Sequence, residues 1–141
     1  MIGRLLVFTS FVFAVDAAAF ESQIWPGSLP SASAAVSARS SDRVEGSPYT
    51  VGGWVVINYA MSVDCSPPRA CYASSQWVYS YAYCSTGAIH EMQRLSLDSN
   101  GNVLAATGER VTYIPPRGTV DRAVVRTLCR RGRDGDSDAD D

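Results

Sequence analysis

The residues of this 141-residue chain whose types could do chemistry are four cysteines, a single histidine and an aspartate-rich C-terminus. Cys65, Cys71, Cys84 and Cys129 form an even set. In an oxidising compartment such a set reads first as two disulfides, for which three pairings are open. Cys65 and Cys71 flank Ser66-Pro67-Pro68-Arg69-Ala70, a turn-forming stretch able to bring their Cβ atoms together locally. Cys84 and Cys129 would then close a long loop, worth about 4 kcal/mol in the chain-entropy model. Zinc is the competing use of thiolates. The spacings contain no Cys-x2-Cys pair and the only imidazole is His90, so no metal is expected.

His90 falls inside a predicted strand with no activated nucleophile indicated nearby, and the cysteines are better used in disulfides. The chain has no Gly-x-Ser-x-Gly elbow, no phosphate-cradling glycine loop and no His-Glu-x-x-His helix. No catalytic residue and no cofactor are therefore assigned, and the expectation is a protein that is not an enzyme. The tail from Asp134 to Asp140 begins like a calcium loop, with carboxylates at alternate positions. Ala139 stands where the turn glycine belongs and no closing glutamate follows, so the tail reads as solvated acidic chain.

A second kind of chemistry is stacking. Gln76 to Cys84 alternates strictly, with Trp77, Tyr79, Tyr81 and Tyr83 on one face and Val78, Ser80, Ala82 and Cys84 on the other. Aromatics on a strand either fill a core or present faces to a sugar, peptide or protein.

The elements that must position these residues are mostly strands. Gly53 to Met61 carries Trp54-Val55-Val56-Ile57-Asn58-Tyr59, β-branched and aromatic residues that predict a central strand. Ile89 to Leu97 alternates, with Ile89, Gln93, Leu95 and Leu97 on one side of the pleat. Asp98-Ser99-Asn100-Gly101 supplies hairpin chemistry through residues that accept positive φ, and Asn102 to Ala106 is the returning strand. Arg110 to Ile114 predicts a further short strand, stopped by Pro115-Pro116. From Thr119 the period changes: Val120, Ala123, Val124, Thr127 and Leu128 share one face of a helix capped by Thr119, with Asp121 in its first turn and Gly132 following it.

Twelve basic residues, all arginine, against fourteen acidic ones leave a net charge of -2, and half of the aspartates sit in the last eight positions. No broad cationic surface suggests nucleic acid, and no such partner is expected. Arg4, the apolar stretch Leu5 to Val15 and the small residues Ala17 and Ala19 have the order of a secretory leader cleaved after Ala19. That apolar stretch falls short of the about 20 residues needed to span a bilayer, and no other segment is a transmembrane candidate.

The second half resembles the bacterial surface-adhesin protein E family. The likeness rests on a strand ending in Tyr83-Cys84, a next strand running into Asp98-Ser99-Asn100-Gly101, the passage Ile114-Pro115-Pro116-Arg117-Gly118 and a terminal helix ending at Leu128-Cys129. It implies a small exported α+β domain with a Cys84–Cys129 bridge and, in named members, adhesion to host or matrix proteins. The Cys65/Cys71 pair and the tyrosine stripe depart from the pattern, so no binding residue is carried over. If Cys84 reaches Cys129, the helix covers the face bearing Val78, Ser80 and Ala82. Trp77, Tyr79, Tyr81 and Tyr83 then form the candidate partner-binding face, with a protein or glycan as ligand.

The expected organisation is a leader over 1–19, a flexible lead over 20–47, a disulfide-stapled α+β domain over 48–129 and a disordered acidic tail over 130–141. The expected fold is a small antiparallel β-sheet with a C-terminal α-helix packed on one face. The expected function is noncatalytic binding by an exported protein, whether periplasmic, surface-associated or secreted. The alternative is a small envelope enzyme or enzyme inhibitor. Oligomeric state is not legible.

Overall fold

The computed structural model describes residues 25–65 and 71–137. The expected leader, its cleavage point and residues 138–141 lie outside the described residues. Six strands form one antiparallel sheet: β1 (Ala34–Ala38), β2 (Asp42–Val44), β3 (Ser47–Asp64), β4 (Tyr72–Tyr83), β5 (Ala88–Leu97) and β6 (Val103–Thr107). The order across the sheet is β1-β3-β4-β5-β6, and β2 shares the outer side of β3 with β1. Among the described residues one α-helix, α1 (Val120–Ser137), packs across β1, β3 and β4. This is the antiparallel sheet with a C-terminal helix on one face that the residue pattern predicts.

The apolar periods explain the packing. Val55, Ile57 and Tyr59 of β3, Val78 and Ala82 of β4 and Ile89 of β5 meet Val120, Val124 and Leu128 of α1 in one core. Burying a side chain such as Ile57 or Leu128 stabilises the fold by about 1.5–3 kcal/mol relative to leaving it in water. Thr119 caps α1, its Oγ1 accepting the Arg122 N–H at 3.3 Å. Both disulfides are formed: Cys65–Cys71 joins the end of β3 to the start of β4, and Cys84–Cys129 ties the end of β4 to α1, with Cα atoms 5.7 Å apart.

Several expectations are corrected. The lead over 20–47 is not a flexible segment throughout, because Ala34–Ala38 and Asp42–Val44 are strands of the sheet. β1 is mostly Ala and Ser and β2 is three residues long, so neither announces a period, and β3's backbone supplies the partner instead. The helix does not end at Cys129. It continues to Ser137, so the acidic tail over 130–141 is helical backbone in its first part. Gly132 lies inside α1 rather than after it, and a Cβ there would stand 2.8 Å from Val51 Cγ2, so glycine permits the close approach of helix to sheet.

Residues 110–114 form no strand, and they meet β5 at the isolated bridge Ile89–Tyr113 and through Arg110 N–H, which donates to the Glu91 carbonyl at 2.9 Å. In the turn after β5 only Gly101 has positive φ, at 82°, while Asp98 Oδ1 accepts the N–H groups of Asn100 and Asn102, each at 2.9 Å. Finally, Ile89 does not share a face with Gln93, Leu95 and Leu97. Tyr79 pairs with Gln93 but Ser80 with Glu91, leaving Met92 as a bulge that reverses the pleat. Ile89, Glu91, Arg94 and Ser96 are consequently all buried.

Candidate functional site

β4 divides the molecule. Val78, Ser80 and Ala82 are buried beneath α1, so the odd-numbered side chains stand on the other face of the sheet. There Trp77 is 37% exposed, and Tyr79, Tyr81 and Tyr83 are half-buried. The rings do not stand apart. Trp54 of β3 meets Trp77 at 6.5 Å and Tyr79 at 5.4 Å between centroids, and Tyr79 meets Tyr81 at 5.8 Å, all edge to face. Such pairs contribute about 0.5–1.5 kcal/mol each beyond area burial. Trp54 is the member that sequence reasoning missed, although its alternation with Val55 and Ile57 places it opposite the core. Tyr83 lies at the end of β4 between Thr50 and Ala88, beyond this chain of rings.

The surroundings of the rings are polar. His90 pairs across from Tyr81, and its Nε2 lies 2.7 Å from Glu109 Oε1. Asp42 pairs with Gly52, which faces Tyr81. Burial first, then neighbouring Tyr81 and the charge of Asp42, raise the Tyr79 phenol above its ordinary value. A shallow cavity of about 410 Å³ adjoins Tyr79, lined also by Met92, Gln93 and Thr107.

A second cluster, on the helix side, was not foreseen. Arg94 is 2% exposed and donates through Nε to Glu91 Oε1 at 2.7 Å, while its Nη2 lies 2.6 Å from the same oxygen and 3.5 Å from Asp121 Oδ1. Its Nη1 donates to Gln76 Oε1, which also accepts the Tyr59 hydroxyl at 2.6 Å, and Gln76 Nε2 donates to Ser96 Oγ at 2.9 Å. Asp121 accepts Trp25 Nε1–H at 3.0 Å and the Tyr113 hydroxyl. The Arg94 and Arg110 guanidinium groups lie over the Trp25 ring, 4.3 and 3.4 Å from its centroid. The two arginines therefore balance two carboxylates around one indole.

The electrostatics follow from enclosure. Burial pushes the Tyr59 phenol up to about 12 and raises Tyr113, with the hydrogen bond to Asp121 adding to the latter. Burial likewise raises the Glu91 carboxyl, against the pull of Arg94. Arg94 itself loses from burial but gains more from Glu91, Tyr59 and Asp121, so its proton is held more firmly. Glu91 and Asp121 are only 6% and 4% exposed at their side chains and share one cation, which makes them a brace between sheet and helix rather than an acid–base pair open to substrate. The one sequence cue was an arginine inside an alternating strand, and without the bulge at Met92 that position reads as outward. Among the described residues no group of three His, Cys, Asp or Glu side chains converges as a metal site.

Sheet, helix and interlayer disulfide together define a small α+β domain stapled at Cys84–Cys129. Its fold is that of Haemophilus influenzae protein E: the solved selenomethionine form of that protein is similar with a TM-score of 0.50 and 15% sequence identity, over 79% of this chain and 97% of the other. The fold expected from the resemblance to protein E is thus observed. No protein-family model matches the sequence, and no curated protein matches it.

Proposed function

We propose that this protein is an exported, noncatalytic binding domain that engages a protein or glycan partner through the aromatic face of β3, β4 and β5, in the manner of an adhesin. The observation that carries this reading is the position of Trp54, Trp77, Tyr79 and Tyr81 on the side of the sheet away from α1, with Trp77 37% exposed. Clustered aromatic surface on soluble proteins usually marks an interaction site. The fold shared with protein E supports the adhesive reading, as does the resemblance noted in the sequence. Two disulfides accord with an oxidising, extracytoplasmic location. Among the described residues no helix is long and apolar enough to cross a membrane.

Replacing Tyr79 and Tyr81 with serine tests the reading. A docking face tolerates both changes with little loss of melting temperature and loses its partner. A large fall in melting temperature makes these rings core, and retained partner capture by the folded variant removes the face from the binding function.

A further inference from the structure

The row of the sheet that passes through Tyr81 runs Asp42–Gly52–Tyr81–His90 from β2 to β5, and His90 holds Glu109 at its far end. Gly52 keeps the row low: a Cβ there would stand 2.8 Å from Tyr81 Cε1 and 3.3 Å from the Tyr79 hydroxyl, so both phenols lean over β3 toward Asp42. A carboxylate therefore stands on each side of the Tyr79–Tyr81 pair, and the Glu109 side chain is 61% exposed. The strand arginines lie on the other face. Arg43 and Arg94, the arginines within the described strands, both take the helix-side register, opposite Val51 and buried respectively. Arg122, Arg126, Arg130 and Arg131 belong to α1 on that same side. The aromatic face thus has a carboxylate on each side of its tyrosine pair and no arginine from the described strands, while Arg39, just past the end of β1, is exposed where its N–H donates to the Trp54 carbonyl at 2.8 Å.

Ring orientation narrows the ligand further. The aromatic pairs meet at 60°, 69° and 89° between planes, so they offer no extended coplanar platform for a run of sugar rings. A cation needs only one ring face, and tryptophan provides the strongest. We propose that this face takes an arginine- or lysine-bearing segment of a partner protein, its cationic side chain lying over Trp54 and Tyr79 with Asp42 and Glu109 compensating the charge. This rests on the binding-face reading and gives that reading its ligand chemistry.

The test titrates the purified protein, followed by tryptophan fluorescence, with a Gly-Ser peptide bearing several arginines, with the same peptide bearing glutamates, and with cellohexaose. The arginine peptide is expected to bind and the glutamate peptide not to. Combining Asp42→Asn with Glu109→Gln, both at exposed carboxylates, is expected to weaken the arginine peptide about tenfold, and added salt to weaken it further. Equal binding of both peptides, an arginine-peptide affinity unchanged in the double variant, or no binding by any probe overturns the proposal. Binding of cellohexaose alone, lost in Tyr79→Ser, overturns it while keeping the binding face. Partner capture unaffected by a folded Tyr79→Ser variant removes both.

Discussion

Trp25 donates its indole N–H to Asp121 Oδ2 at 3.0 Å, joining residues 96 positions apart. The contact fastens the segment ahead of the sheet to the first turn of α1, and the rings of charge around it come from β5 and the chain beyond β6. Sequence alone assigned Asp121 only to the helix dipole. In the fold it is also the acceptor for Trp25 and Tyr113 and a partner of Arg94.

Trp25→Ala is expected to destabilise the protein by about 3 kcal/mol, from lost packing and a buried carboxylate stripped of a donor. Trp25→Phe keeps a ring for Arg94 and Arg110 and loses only the N–H, so its cost is about 1–2 kcal/mol. Urea denaturation of the two variants measures both. Equal losses would mean that the hydrogen bond to Asp121 carries the whole effect.

Removing Cys84–Cys129 by paired serine substitution is expected to cost about 4 kcal/mol, and removing Cys65–Cys71 about 2 kcal/mol, because the first closes the longer loop. The sequence separations are 45 and 6. The long bridge also joins helix to sheet, so its loss loosens α1 against β4. Denaturation midpoints of the two paired variants check the order, and coincident midpoints contradict it.

The Glu91 carboxyl sits above its ordinary value of 4.5 in the fold, through burial. The folded state therefore holds the proton more tightly than the unfolded chain does. The corresponding stability is fully present below 4.5 and is lost as pH rises through the raised folded value. Thermal melts across the acid range should show this decline, and Glu91→Gln should flatten it. Tyr59 follows the same sign at the alkaline end, its contribution being lost as pH rises from 10.0 through about 12.

Ser80 Oγ is fully enclosed, with no hydrogen-bond partner among the described residues. Ser80→Ala should therefore leave stability unchanged or raise it by about 1 kcal/mol, since the change removes a desolvated hydroxyl and little volume. A measured loss above about 1 kcal/mol would show that the hydroxyl is satisfied in solution.

The sequence by itself determined the elements with a strong local period. β4 alternates so regularly that both of its faces are legible, and the helix face Val120, Ala123, Val124 and Leu128 needs no tertiary information. The cysteine set determined that the fold is stapled, while the pairing of Cys84 with Cys129 required a family likeness or the structure itself. Only the tertiary structure decided the fate of β1 and β2, because β1 is mostly Ala and Ser, β2 is three residues long, and both form by completing hydrogen bonds that β3 offers. The bulge at Met92 belongs to the same category. It is set by two strands meeting out of step, and it turns Arg94 inward to Glu91 and Asp121. A one-dimensional pattern holds period and volume. It does not hold the long-range register that brings Trp25 to Asp121, or the meeting of Trp54 with Tyr79 that completes the aromatic face.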